Sequence, residues 1–121
     1  MLESSSSDGR DTELAALRSD AVARLTALDD AIAQLRADRS SDTADDEHDP
    51  EGVTLSSEWA RLEGLRTGAR HDIEEIDVVI ARREAGHDGV CVDCGRRIPI
   101  ERLRARPAAT RCVACAERAG A

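Results

Sequence analysis

Residues 12–38 read TELAALRSDAVARLTALDDAIAQLRAD, and residues 55–86 read LSSEWARLEGLRTGARHDIEEIDVVIARREAG. Apolar positions in the first fall at Leu14, Leu17, Ala21, Leu25, Leu28, Ile32 and Leu35, always three or four apart. In the second they fall at Leu55, Trp59, Leu62, Leu65, Ala69, Ile73, Ile76 and Ile80. Each is a helical stripe one seam wide, bordered by charge. Read in opposite directions the two stripes match. Leu14 meets Ile76, Leu17 Ile73, Ala21 Ala69, Leu25 Leu65, Leu28 Leu62 and Leu35 Leu55, each pair adding to 90, while Ile32 with Trp59 adds to 91. Both stripes also carry two successive steps of four, centred on Ala21 and on Ala69, so a local unwinding would face its counterpart. This predicts an antiparallel coiled-coil hairpin over residues 12–86 that folds back about residue 45, with helices ~40 Å long.

The flanks set expected boundaries. Residues 1–11 are polar and rich in serine and read as a disordered tail, with Asp11 or Thr12 capping the first helix. Gly86 stops the second. Between them a tip loop is expected over residues 39–54, with Asp49-Pro50-Glu51-Gly52 as a turn and Thr54 or Ser56 as the next cap. Gly64 and Gly68, inside the second helix, suit either a tolerated surface or a point of close approach, at up to ~1 kcal/mol each. Val79 and Ile80 lie beyond the first apolar layer and are expected to pack on the module that follows.

Composition agrees with a chain lacking a thick core. Of 121 residues, Trp59 is the only aromatic, 35% are charged, and the 40% hydrophobic share leans on Ala, Leu, Ile and Val. A large globular enzyme is excluded on that arithmetic. No apolar run approaches the ~18 residues of a membrane span. The opening MLESSSSDGR lacks the basic and apolar regions of a secretory signal, so the expectation is a cytoplasmic protein in a reducing compartment with no membrane partner.

Residues 91–115 read CVDCGRRIPIERLRARPAATRCVAC, two Cys-x-x-Cys pairs separated by 17 residues. Cys91, Cys94, Cys112 and Cys115 have the spacing of a four-cysteine zinc site. Disulfides suit a different compartment, and a thioredoxin-like redox pair expects one Cys-x-x-Cys within a βαβ pattern that is absent here. Four thiolates leave no open coordination position, so one structural Zn²⁺ per chain is expected, worth ~10–16 kcal/mol in finger peptides. Ile98, Ile100 and Leu103 remain for a small core, with a short helix starting at Pro99 and ended by Pro107. His87 reads as a solvated flank.

Charge is divided along the chain. Residues 1–95 hold 10 arginines and 23 acids, a net of −13, and residues 96–121 hold seven arginines and two acids, a net of +5, which together give −8. Six of the acids, Asp42, Asp45, Asp46, Glu47, Asp49 and Glu51, crowd the expected tip. Taken alone they are a solvated charge run. At the end of a narrow hairpin they become carboxylates that a pore could admit. Arginines in a zinc module, here Arg96, Arg97, Arg102 and Arg104, suggest contact with nucleic acid or protein, but without aromatics for stacking, sequence-specific DNA binding is not expected.

Residues 89–115 resemble the signature of the DksA/TraR C4-type zinc-finger family, in which the two cysteine pairs enclose an RL-x-A-x-P motif, here Arg102, Leu103, Ala105 and Pro107. The order of hairpin and finger is similar over roughly residues 12–117. The resemblance implies an all-α chain, a long antiparallel helical hairpin with a small C-terminal four-cysteine zinc finger over residues 87–121. It further implies a monomer that binds bacterial RNA polymerase, enters its secondary channel and places an acidic tip near the catalytic centre, with ppGpp as a co-effector. Asp42, Asp45, Asp46, Asp49 and Glu51 would be the acting carboxylates, and the finger arginines would hold the base. The family's Asp-x-x-Asp-x-Ala tip is incomplete: aligned on Asp49, Gly52 and Thr54 occupy the other two places, whereas Asp42/Asp45 and Asp46/Asp49 keep only the acid spacing. DDEHDPEG is more similar to the tip of actinobacterial-type members. The sequence ends six residues after Cys115, short of the C-terminal helix of larger members. The competing reading is a zinc-ribbon adaptor that binds protein or nucleic acid through its arginines, with an inert acidic loop.

Overall fold

The computed structural model describes the backbone of residues 2–42 and 50–120 and the side chains of residues 9–39 and 55–120. The order is α1 (Leu2–Asp42), α2 (Pro50–Glu84), α3 (Ile100–Ala105) and α4 (Val113–Arg118). The one β feature among the described residues is an isolated antiparallel bridge between Val90 and Arg97. The chain is all-α. It forms two compact units, Ser19–Asp72 and a second built from Met1–Arg18 with Ile73–Ala121, and both long helices run through both.

In the Ser19–Asp72 unit the apolar stripes meet as expected. Ala21 and Ala69 are among its most buried residues at 0% and 3% exposure, so the two small side chains lie at the innermost level. Ile32 and Leu62 are buried as well. Contacts flanking the seam show the antiparallel register directly. Asp29 pairs with Arg66 at 2.6 Å, Arg24 approaches Asp72 at 3.9 Å, and the Arg36 guanidinium lies 5.2 Å from the centre of the Trp59 ring. Such exposed ion pairs add little stability individually. Their value here is that they mark which residues face across.

One seam position departs from the expected stripe. Leu65 is 47% exposed, and the adjacent Arg66 takes the partly covered place with a side chain 30% exposed. Helix geometry explains the exchange. At about 100° per residue, Leu65 lies about 60° to one side of Leu62, and Arg66 about 40° to the other. The covered line then runs 55, 59, 62, 66, 69, 73, 76, 80, an uninterrupted alternation of four and three, so α2 has no stutter at Ala69. The stem of Arg66 supplies apolar contact while its head reaches Asp29.

In the other unit, Leu14 and Ile76 are buried to 1% and 5% exposure at one level, and Arg18 bonds Asp77 at 2.7 Å just outside them. The first eleven residues are not the expected tail: helix α1 begins at Leu2, and neither Asp11 nor Thr12 caps it. Arg10 and Asp11 are instead held within the helix by partners on other segments, Arg10 by Asp88 and Asp11 by Arg83. This extension gives Ile80 a neighbour in α1, and it shares a hollow with Asp11, Leu14 and Ala15. Val79, 3% exposed, turns the other way, beside Val90, Ala109 and Thr110 of the finger. Of the two residues expected against the module, Val79 goes there and Ile80 stays in the seam.

Helix α2 ends where Gly86 turns the chain at φ +84°. The amide of Gly86 donates to Arg83 O at 3.1 Å and that of His87 to Arg82 O at 2.8 Å, the paired bonds of a Schellman cap. At the other end Pro50 opens α2, where its fixed φ and missing N–H cost nothing, so the helix starts before the Thr54 or Ser56 cap. The tip is accordingly shorter than the expected loop over 39–54. Asp42 and Glu51 belong to the helices, whereas Asp45, Asp46 and Asp49 lie outside the described residues.

Gly64 and Gly68 are exposed, and a methyl group built on either meets nothing within 4 Å. The close-approach reading is set aside. Gly64→Ala and Gly68→Ala are each expected to stabilise the chain, by up to about 1 kcal/mol, through the entropy glycine loses in a helix. Thermal unfolding followed by circular dichroism checks this: a lowered midpoint in either variant would mean these positions need glycine.

Candidate metal centre

The finger is assembled by backbone bonds before any metal is considered. Between Gly89 and Ile98 the chain folds back on itself, the Ile98 amide donating to Gly89 O and the Cys91 amide to Arg96 O, both at 2.8 Å. Gly95, at φ +73°, makes the turn after the first cysteine pair, and its amide donates to Cys91 O. The second pair is built differently. Cys112 is the N-cap of α4 and Cys115 lies in its first turn, so helix geometry presents both thiols on one side. Val92 N–H to Thr110 O, 2.9 Å, joins the two halves. Helix α3 starts after Pro99, as the sequence suggested, and ends at Ala105. Helix α4 was not anticipated; its short, small-residue sequence carries no apolar period.

The four cysteines converge. The sulfurs of Cys91, Cys94, Cys112 and Cys115 all lie within 4.8 Å of one another, and Cys94 Sγ is 3.9 Å from Cys112 Sγ. A tetrahedron of thiolates about 2.3 Å from zinc has edges of about 3.8 Å, so the arrangement fits that ion. Amides prepare the ligands. Those of Cys94 and Cys112 hold the Cys91 thiol down to about 6, and the amide of Cys115 lowers Cys112. Cys115 is pushed up to about 12, chiefly by its hydrogen bond to Cys112 and by burial. Arg111 bonds Asp93 at 2.6 Å beside the thiols and supplies positive charge near them.

Packing around the sulfurs is thin. Ile98, 5% exposed, joins Cys91 and Cys115 in one buried cluster, with Leu103 and Cys112 against it. Ile100 does not join them: as the first residue of α3 it points outward and is 60% exposed. Of the four arginines singled out from sequence, Arg102 is an internal tether, its Nε donating to Arg111 O at 2.7 Å. Arg96, Arg97 and Arg104 are exposed.

A charged clip that sequence reasoning missed holds the finger to the helices. Asp88 accepts two bonds from Arg10, at 2.9 and 3.0 Å, and one from Arg83 at 2.7 Å. Arg10 also reaches Pro107 O at 3.0 Å, and Arg82 donates to Val90 O at the same distance. The two guanidinium groups, Arg10 first, hold the Asp88 carboxyl below its ordinary range. The match of the stripes pairs apolar positions, and the charged Arg10, Arg83 and Asp88 lie outside that pattern.

With this geometry in view, comparison with known proteins is informative. Residues 83–119 match the profile of the prokaryotic dksA/traR C4-type zinc finger. This segment is similar to the dksA/traR-type zinc finger. The resemblance seen in the sequence therefore holds for this segment, whose four clustered cysteines are able to hold one zinc ion. Comparison with curated proteins gives no match. Among solved structures, the fold is similar to that of transcription factor DksA2 from Pseudomonas aeruginosa, with a TM-score of 0.74 and 21% identity, covering 93% of this chain and 81% of that one.

Elemental analysis should find one zinc per chain, and chelation should unfold residues 87–121 while α1 and α2 keep their helical signal. Metal-free protein with all four cysteines in disulfides would contradict the assignment. Asp88→Asn should cost about 1–2 kcal/mol, because two guanidinium groups lose a shared, partly buried negative charge and one of its two acceptor oxygens. Equilibrium denaturation at neutral pH checks it, and an unchanged midpoint would show the clip to be incidental.

Proposed function

We propose that this protein is a transcription regulator that binds bacterial RNA polymerase and acts through the end of its helical hairpin. The observation that carries the reading is the coincidence of two likenesses: a finger of the dksA/traR type and a fold shared, over 93% of the chain, with a transcription factor. Neither extends to a partner by itself. The physical fit comes from the residues. Two helices of 41 and 35 residues, one ending at Asp42 and the other carrying Glu51 in its first turn, flank a stretch of sequence that holds Asp45, Asp46 and Asp49. On this reading the helices enter the polymerase's secondary channel, and the carboxylates reach the neighbourhood of its Mg²⁺-dependent centre, where negative charge perturbs ion and substrate positions.

The chain itself performs no reaction. A zinc ion with four thiolates has no open position for water or substrate. The metal keeps the finger folded, the finger positions the base of the hairpin, and the working chemistry belongs to the polymerase. The protein acts as a monomer in the cytoplasm, with ppGpp as a candidate co-effector.

In vitro transcription with the cognate polymerase, with and without ppGpp, tests this. The wild-type chain should change initiation, and the triple variant Asp45→Asn, Asp46→Asn, Asp49→Asn should bind polymerase and lose most of the effect. If that variant alters transcription as the wild type does, the carboxylate mechanism is wrong. If the wild-type chain does not bind polymerase, the zinc-ribbon adaptor is the better reading.

A further inference from the structure

Helix α1 begins where its sequence gives it least reason to. Seven of the ten residues Leu2–Asp11 are Ser, Asp or Gly, weak helix formers, yet the helix runs through them from Leu2. Helix α2 gives this stretch little support. It ends at Glu84, the counterpart of residue 6 in the register that adds to 90, so residues 2–5 run past its last turn. The end of a helix frays when nothing holds it, and three turns are marginal in water by themselves. What reaches this end comes from the other end of the chain. Arg10 donates two bonds to Asp88 and a third to Pro107 O, and Asp11 accepts from Arg83. With side chains only 15% and 21% exposed, Arg10 and Asp88 form a covered contact and not a solvated pair.

Two hollows meet at the same point. One, of about 520 Å³, lies between Asp11, Leu14 and Ile80, and the other, of about 690 Å³, between Arg10 and Glu13 on α1 and Arg97, Leu103 and Arg104 of the finger. Arg83 and Asp88 line both, while Asp11 walls the first and Arg10 the second. We propose that the first three turns of α1 are a strap, closed along the finger while Asp88 and Arg83 hold Arg10 and Asp11, and unwound to about Thr12 when that hold is lost. Unwinding stops there because Leu14, 1% exposed, seals the seam. Helix formation is cooperative, so fixing Arg10 from outside carries the weak residues on either side of it. Segments that open locally are those with little apolar burial, and this one is kept by charge. Asp88 lies between the Gly86 turn and Cys91, so the acceptor moves with the finger: a seated finger closes the strap and a displaced one releases it. Release takes Arg10 and Asp11 out of the two hollows and opens them to each other across Arg83 and Asp88. The strap thereby governs access to the base of the finger.

Hydrogen exchange of the native chain, read over residues 6–12 and, as an internal control, residues 20–35, tests this. The wild type should protect both stretches. Arg10→Ala removes all three bonds while placing a better helix former in the segment, so faster exchange there cannot arise from propensity. Exchange over residues 6–12 should rise about tenfold or more, with residues 20–35 unchanged. Asp88→Asn, 78 positions from Arg10, should speed the same amides. Gly9→Ala, whose added methyl meets nothing within 4 Å, should restore part of the protection in the Arg10→Ala background. Unchanged zinc content shows that the finger stays folded in each variant. Wild-type exchange over residues 6–12 in both Arg10→Ala and Asp88→Asn overturns the strap, since the helix would then support itself. Equal acceleration over both stretches overturns it as well, because the clip would then support the whole fold. Free-peptide rates over residues 6–12 in the wild type would mean that the strap is never closed, and would end the proposal too.

Discussion

Four cysteine sulfurs within 4.8 Å of one another, a site able to hold one metal ion, are what the finger depends on. Ile98 is the one buried aliphatic side chain among the finger's described residues, and a cluster of Cys91, Ile98 and Cys115 is too small to offset the conformational entropy of ordering about thirty residues. Each structural device nearby serves the sulfurs. The Gly95 turn returns the chain so that amides face Cys91, and α4 places Cys112 and Cys115 a turn apart. Arg102 fastens the carbonyl just before Cys112. Remove the ion and these bonds remain possible, but little apolar burial is left to hold them together.

The helices solve the same shortage differently. Their seam is narrow, and its deepest level is a pair of alanines, Ala21 and Ala69. Small residues there bury little area themselves but let the backbones come close, so the larger side chains at neighbouring levels are covered. The exchange of Leu65 for Arg66 follows the same economy. A continuous heptad on α2 matters more than one leucine, since an arginine stem still gives apolar cover and its head finds Asp29.

Charge does the joining. Asp88 sits just past the Gly86 turn and accepts from Arg10 on α1 and Arg83 on α2, while Arg10 also reaches Pro107 in the finger. One carboxylate thereby ties three segments together, and the pairing leaves Arg97 and Arg104 as the basic groups still free in the adjacent groove. An acidic chain with a basic finger thus spends part of its finger-side charge on itself and leaves the remainder exposed.

Much of this was legible in the sequence, for a definite reason. Helical stripes, their reversed match and the cysteine spacing are periodic or local patterns, so the all-α class, the hairpin, the clustering of the four cysteines, the Gly86 stop and the short helix after Pro99 follow from the residues alone. The same patterns located the acids of the tip without assigning them a role. What required the tertiary structure was everything set by orientation or by distant pairing. Whether Leu65 or Arg66 enters the seam depends on a rotation of about 100° that both steps of three and steps of four allow. Ile100 could as well have pointed inward. Asp11 looks like a cap until Arg83, 72 positions away, claims its carboxylate. Arg102 and Arg97 are alike as letters, and only their neighbours make one a tether and leave the other free. Sequence determined the two long helices, the short helix after Pro99 and the donor set for a metal, because those follow from local or periodic patterns, while α4 and the N-terminal extension of α1 carry no such pattern; the folded chain decided which charges remain available, because that depends on residues the sequence keeps far apart.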